Sequence, residues 1–516
     1  MFYPDLNKFK QLAKRYNIIP VYKEILSDYD TPVSTFHKLA GDSDYAYLLE
    51  SVEGTERWGR YSFISSSPRI VFIVNKGQLT VHYLDSGSKK EVKKIKTDNP
   101  MDELKRLIGK YKSPQIPGLP RFWGGAVGYI GYEMVCAFEN RIARFNSAQK
   151  DYLNIPESIF MFTDSLVIFD HFTHKTKLVS CVDLSAGLSN LSAGLSYLSN
   201  EGDGRNIELK YRNACSKIDK IHIQLKKPLS EHSYHKDKSY RVNSNMTKKK
   251  FLDRVKDIKK YIRAGDVIQT VMSQQFSRKT SVRPFDIYRT LRTVNPSPYM
   301  YYLNMKNFQL IGSSPEILVR KEGDMAETRP IAGTRPRGRT PEEENRMEKE
   351  LVGSPKECAE HIMLVDLGRN DLGRVCEKGS VKTNQLMTIE KYSHVMHLVS
   401  SVAGKLSPKI DAFELLRACF PAGTVTGAPK IRAMEIIGEL EPTVRGPYAG
   451  AIGYFSYSGN MDMAITIRTI LMKDSIAYVQ AGAGIVADSL PEHEYQETEN
   501  KAKALFSAID LAERVI

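Results

Sequence analysis

The tightest constraint on the fold comes from residues 449–471, AGAIGYFSYSGNMDMAITIRTIL. Two strand-forming apolar runs meet at Ser458-Gly459-Asn460, the signature of a hairpin. A connection this short forces antiparallel pairing, because parallel strands need a long crossover. From about residue 249 such strands alternate with amphipathic helices. KKKFLDRVKDIKKYIRAGD reads as a helix ended by Gly265, and VIQTVMSQQFS follows as a strand. Neither G-x-G-x-x-G nor G-x-x-x-x-G-K-[ST] occurs. The pattern predicts α+β layers built on antiparallel sheets and not a βαβ nucleotide fold.

The first 180 residues or so are strand-rich. YAYLLES (45–51), RIVFIV (69–74) and QLTVHYL (78–84) are separated by Gly, Ser and Asp breakers, and SIFMFTDSLVIFD (158–170) reads as another hairpin. Residues 184–200 repeat LSAGLS with Leu at helical spacing, predicting a surface helix. Residues 200–248 are polar and basic, and their later half marks a boundary between two regions. A chain of 516 residues suits two ordinary domains or one large one. No apolar run approaches the ~20 residues of a membrane-spanning helix, and the N-terminus lacks a secretory core, so a cytoplasmic protein is expected. Six cysteines without a C-x-x-C pair suggest reduced thiols. The 74 basic and 60 acidic residues give a net charge of +14. That excess raises a nucleic-acid reading, but it is dispersed. Its one dense cluster, Lys248 to Lys250 near His232, His235, Lys236 and Lys238, serves a linker equally well. A field that attracts a small anionic substrate also fits.

The chemistry begins with a spacing that occurs twice. Glu357 and Glu360 are three residues apart, as are Glu494 and Glu497, and on helices each pair shares one face. Two such faces brought together offer oxygen ligands to a hard cation such as magnesium. Local readings compete. Ser354-Pro355-Lys356-Glu357 is also a capping box, and Glu497 with Lys501 is also a surface pair. His397 lies in an apolar segment, where a packed histidine and an acid or base are both open. IAGTRPRG (331–338), FPAGTVTGAPK (420–430) and QAGAGIV (480–486) read as turns whose N–H groups suit oxygen anions. Arg468 interrupts the alternating segment MAITIRTI, which calls for an anion from a ligand or an internal Glu.

The ordered motifs PIAGTRPRG, EHIMLVDLGRNDLGRV, YSHVMHLVS, GTVTGAPKIRAMEII, GYFSYSGNMDMAITIRT, QAGAGIVADS and ETENKA span about 249–505. With LLES (48–51) and NPSPYMYYL (295–303), they resemble component I of anthranilate synthase, a family of chorismate-utilising enzymes. The resemblance implies a four-layer α/β/β/α fold with packed antiparallel sheets and an N-terminal subdomain. It implies an N-terminal subdomain over 1–200, a linker region over 201–248 and a chorismate-binding catalytic domain over 249–516. It also implies Mg2+ held by Glu360 and Glu497, with Glu357 and Glu494 supporting its waters. Gly333, Thr334, Tyr448, Arg468, Gly482, Ala483, Gly484 and Lys501 would bind chorismate. Glu316 would protonate the departing hydroxyl, His397 would assist pyruvate loss, and Thr334 would also belong to the catalytic residues. Ser51, Pro298, Tyr299 and Met300 match a tryptophan inhibitor site in that family.

Two positions separate sister activities. Relatives that add water carry Lys where this chain has Gln269. Relatives that make aminodeoxychorismate, the alternative reading, typically carry Lys where this chain has Ala332. Both favour ammonia as nucleophile and anthranilate plus pyruvate as products. No G-x-C-x-G nucleophile elbow is present, so the chain is not expected to hydrolyse glutamine alone, and the resemblance implies that a separate glutamine amidotransferase subunit supplies the ammonia.

Overall fold

Alternation of side chains along the strands sets the layers. In strand Tyr45–Glu50, Tyr47 joins one apolar cluster, whereas Ala46 and Leu48 join a second on the opposite face. Strand Tyr299–Met305 repeats this, with Tyr301 and Leu303 on one side and Met300 and Tyr302 on the other. Strands apolar on both faces must be covered on both. The computed structural model satisfies this with two antiparallel sheets packed face to face and helices outside each. It describes all residues except 27–28, 42, 52–58, 85–90, 140, 143–148, 186–203, 230–239, 393–394 and 516. The order helix, sheet, sheet, helix is the expected α+β four-layer arrangement.

Among the described residues the sheets have 13 and 12 strands. Both run through the early and the late chain. In the larger, Tyr45–Glu50 pairs with Tyr299–Met305, setting Met300 opposite Glu50. In the smaller, Gly125–Ile130 pairs with Ala451–Ser456. The hairpin around Gly459 forms as its sequence predicts, with Phe455 opposite Met461 and φ of 83° at Gly459. Helices Pro284–Val294, Pro491–Val515 and Gly204–Leu225 cover the larger sheet. Helices Pro355–Gly373, Ala412–Cys419 and Pro100–Gly109 cover the smaller.

Several sequence expectations change. Residues 158–170 do not form a hairpin. Ser158–Thr163 belongs to the smaller sheet and Ser165–Asp170 to the larger, so the chain crosses between sheets at Asp164. Local alternation cannot distinguish a turn within a sheet from a step between two. The MAITIRTI run breaks for the same reason. One strand ends at Ile465 in the smaller sheet, and Thr469–Lys473 opens in the larger. Within the expected linker, Gly204–Leu225 is a helix whose Tyr211, Ala214, Ile218 and Leu225 bury one stripe. Its polar remainder masked that spacing. The helix expected at 184–200 falls almost wholly outside the described residues.

Close approach of strands is a further constraint. A Cβ at Gly128 would sit 1.8 Å from the Ile159 carbonyl oxygen of the paired strand. Gly128→Ala is therefore expected to cost about 3 kcal/mol in urea unfolding, the upper end of ordinary overpacking. Unchanged stability would show that the two strands separate freely.

Candidate functional site

Two crossings between the sheets lie side by side and carry the first site residues. Gln309–Ser314 passes to Ile317–Glu322 through Glu316, and Met461–Ile465 passes to Thr469–Lys473 through Arg468. They are tied together: Ile465 N donates to the Glu316 carbonyl (3.0 Å), and Ser313 N donates to the Arg468 carbonyl (3.1 Å). Arg468 holds φ at 50°, a left-handed conformation costly for a side chain other than glycine. Its guanidinium has no ion-pair partner among the described residues. It lines a cleft of about 410 Å³ with His493, Gln496, Glu497, Asn500 and Lys501. A half-buried, strained cation with only the more distant Glu497 charge acting on it is what a waiting anion site requires.

Glu316 is buried, and desolvation raises its carboxyl to about 8, with only Thr424 opposing. It therefore holds its proton at neutral pH and can act as an acid.

The two carboxylate pairs meet. Glu357 and Glu360 lie in helix Pro355–Gly373, and Glu494 and Glu497 in helix Pro491–Val515. Burial, then the charges of Glu357 and Glu497, raise the Glu360 carboxyl. Burial and the Glu497 charge raise Glu494, against the Ser489 hydroxyl and the ammonium groups of Lys356 and Lys501. Ser354 accepts from Glu357 N, capping the helix. The Glu357 carboxylate does not complete a reciprocal box; it turns to Arg335 (3.3 Å) and lies against Gly333. Gln269 Nε2 approaches Glu360 Oε1 at 3.4 Å, and Lys501 Nζ donates to Glu497 Oε1 at 2.6 Å. Among the described residues no three His, Cys, Asp or Glu side chains close into a complete ion cage. The donors still fit magnesium. They are hard oxygens, mutually repelling, from two helices, and that ion takes few protein ligands and keeps waters.

Two Gly-rich segments adjoin these side chains, Gly333 against Glu357 and Gly482 against Lys501. Ile331–Pro336 is a strand, with an irregularity at Gly333 where φ is 63°. A Cβ there would press on Leu351 and Glu357. His397 Nδ1 lies 2.9 Å from the Gly333 carbonyl and 3.0 Å from Thr334 Oγ1. A carbonyl only accepts, so Nδ1 carries the hydrogen and Nε2 remains free to take a proton. Burial, reinforced by Arg468, lowers the His397 imidazole and favours its neutral form.

QAGAGIV is not a turn but the end of strand Ile476–Ile485, paired with Gln269–Lys279. Its glycines leave one face open. A Cβ at Gly482 would meet Tyr448 Oη at 2.6 Å, and one at Gly484 would meet Gln269 Nε2 at 2.5 Å. Ala483 points the other way, into the apolar cluster of Met272 and Ile436. Lys501 Nζ also donates to the Gly482 carbonyl (2.9 Å).

Sequence reading missed what holds Tyr448 in place. Arg445 is 1% exposed and packs over its ring, 5.5 Å from the centroid. Its guanidinium grips both carboxylate oxygens of Glu441 and donates to the carbonyls of Val425 and Val271. A charged residue four positions after an acidic one looks like a surface pair, and nothing local signals its burial.

A separate cavity of about 970 Å³ lies between the sheets. Ser51, Pro298, Tyr299 and Met300 all line it, brought together by pairing of their two strands.

The sequence profile of the "chorismate binding enzyme" family matches residues 72–507. The chain belongs to that family. It is 47% identical over 519 residues to anthranilate synthase component 1 of Acetivibrio thermocellus, covering 99% of each chain. With that of Aquifex aeolicus it shares 45% over 514 residues, covering 99% of this chain and 98% of the relative. The crystal structure of anthranilate synthase component I from Streptococcus pneumoniae superposes with a TM-score of 0.73 at 36% identity, over 93% of this chain and 98% of that one.

Because the folded chain keeps the Glu316 proton that the unfolded chain releases above about 4.5, ionising Glu316 opposes folding. Its contribution makes stability fall as pH rises from 4.5 towards about 8. Glu316→Gln should flatten that part of the fall in urea unfolding between those limits. An unaltered pH slope would place the carboxyl in water.

Proposed function

We propose that this protein is anthranilate synthase component I, converting chorismate and ammonia to anthranilate and pyruvate with Mg2+. The observation that carries the reading is the meeting of Glu360 and Glu497, from two helices, beside an unpaired Arg468. When bound, magnesium would neutralise charge on the ring carboxylate, held by Glu360 and Glu497 with Glu357 and Glu494 supporting its waters.

The chain's own residues do the rest. Arg468 grips the enolpyruvyl carboxylate, the anion its half-buried guanidinium lacks. Gly482 and Gly484 leave room for the ring against Tyr448, with Ala483 contributing backbone only. Gly333 and Thr334 line the facing wall, and Lys501 adds a donor. Glu316 gives its proton to the departing hydroxyl. His397, with Nε2 unprotonated, takes the ring proton as pyruvate leaves.

Gln269 cannot remove a proton from water, and Ala332 cannot attack the ring, which supports ammonia as nucleophile over either sister chemistry. Ammonia would come from a glutamine amidotransferase subunit, as the wording "component 1" in the relatives suggests. Residues 249–516 carry the chemistry, 201–248 join the two regions while helix Gly204–Leu225 packs on the larger sheet, and 1–200 contribute Ser51 to a tryptophan site completed by Pro298, Tyr299 and Met300. Tryptophan there could inhibit only by favouring one state of the paired strands. No described helix is long and apolar enough to cross a membrane, and the six cysteines are free, in keeping with a cytoplasmic enzyme.

Purified protein given chorismate, magnesium and an ammonium salt at alkaline pH should develop anthranilate fluorescence, suppressed by tryptophan. Accumulation of aminodeoxychorismate alone would reject the reading. Glu497→Gln should lower turnover about a hundredfold with unchanged thermal unfolding, because a metal ligand is lost and no packing is. Full activity would remove Glu497 from the ion site.

A further inference from the structure

Glu316 lines a small cavity distinct from the cleft that Arg468 lines. It measures about 40 Å³ and is lined by Thr328, Thr424, Asp371, Arg329 and the apolar Leu364 and Leu367, among others. That exceeds the ~10–15 Å³ that one water needs. Its walls also supply partners. The Thr328 and Thr424 hydroxyls are both buried; Thr328 has no hydrogen-bond partner in the protein, and Thr424 faces the Glu316 carboxyl. Thr328 is 7% exposed, as is Asp371. Hydroxyls that bury without a partner are costly, and a bridging water satisfies them.

Asp371 connects the cavity to the outside. Lys430 Nζ donates to Asp371 Oδ2 at 2.8 Å, and both side chains reach the edge of solvent, 15% and 10% exposed. The other cations here are Arg374, which acts on Asp371, and Arg329, which is turned to Glu390. Burial raises the Asp371 carboxyl and Lys430 lowers it.

We propose that this cavity is a water-bridged proton relay, in which Asp371 and the Thr328 and Thr424 hydroxyls return a proton to Glu316 after each turnover. The inference rests on the function proposed above. In that reaction the Glu316 O–H bond breaks, and its proton goes to the hydroxyl oxygen, which leaves with the C–O electron pair as water. The lone pair of ammonia forms the C–N bond, and the resulting ammonium releases one proton to solvent. Glu316 must regain one from solvent, so the balance closes. Glu316 shares the wall of this cavity with the two threonines, so the return path is separate from the cleft lined by Arg468, Glu497 and Lys501.

Thr328→Val keeps the volume and removes the hydroxyl. It should lower kcat for ammonia-dependent anthranilate formation about tenfold, leave KM for chorismate unchanged, and raise the solvent deuterium isotope effect on kcat. Thr328→Ser should restore both quantities. Gly368→Ala offers an independent probe, since its Cβ would come 3.0 Å from Thr328 Oγ1 and crowd the water. It should show the same kcat loss and raised isotope effect. A Thr328→Val enzyme with normal kcat and isotope effect would overturn the relay and leave the function intact. Failure of the wild-type chain to form anthranilate would overturn the function and the relay with it.

Discussion

The approach of glutamate side chains from two distant helices is the constraint on which the site depends. Glu357, Glu360, Glu494 and Glu497 converge from two helices on opposite outer layers, one over each sheet. Burial is the first cause of the raised carboxyls of Glu360 and Glu494, and the charges of neighbouring glutamates add to it. Lys501, Lys356, Arg335 and Gln269 offset part of it without filling the space between. In the proposed function a divalent cation would relieve the remainder, and its open positions would suit the carboxylate of an anionic ring.

The two sheets decide where that anion can lie. Glu316 and Arg468 stand at neighbouring crossings from one sheet to the other, joined by backbone hydrogen bonds. Neither crossing could shift alone without breaking those bonds. An acid kept neutral by burial and a cation kept without an ion-pair partner thus stay at fixed separation, and in the proposed function one substrate would meet both, with a leaving hydroxyl and a carboxylate. Arg445 performs the same service for Tyr448 by anchoring its loop to Glu441 and to two carbonyls. Such a buried pair contributes little net stability and a great deal of position.

Much of this was legible in the chain. The hairpin at Gly459, the helix ending before Gly265 and the Glu-x-x-Glu spacing follow from periods and turn chemistry that act locally. So does the capping Ser354, although its sequence could not say that the Glu357 side chain would turn to Arg335. What stayed hidden depends on partners distant in sequence. Residues 158–170 alternate as a hairpin would, and only a second sheet turns that alternation into a crossing. QAGAGIV carries the glycines of a turn, yet they serve to flatten a strand beneath Tyr448 and Gln269. The polar face of Gly204–Leu225 concealed a buried stripe of four residues.

The most direct measurement of the central claim is calorimetric titration of Mg2+ into the protein saturated with chorismate in the absence of ammonia. One ion per chain should bind, and Glu360→Gln and Glu497→Gln should each weaken binding about 10- to 100-fold. Equal affinity in wild type and both variants would show that the two helices do not share an ion.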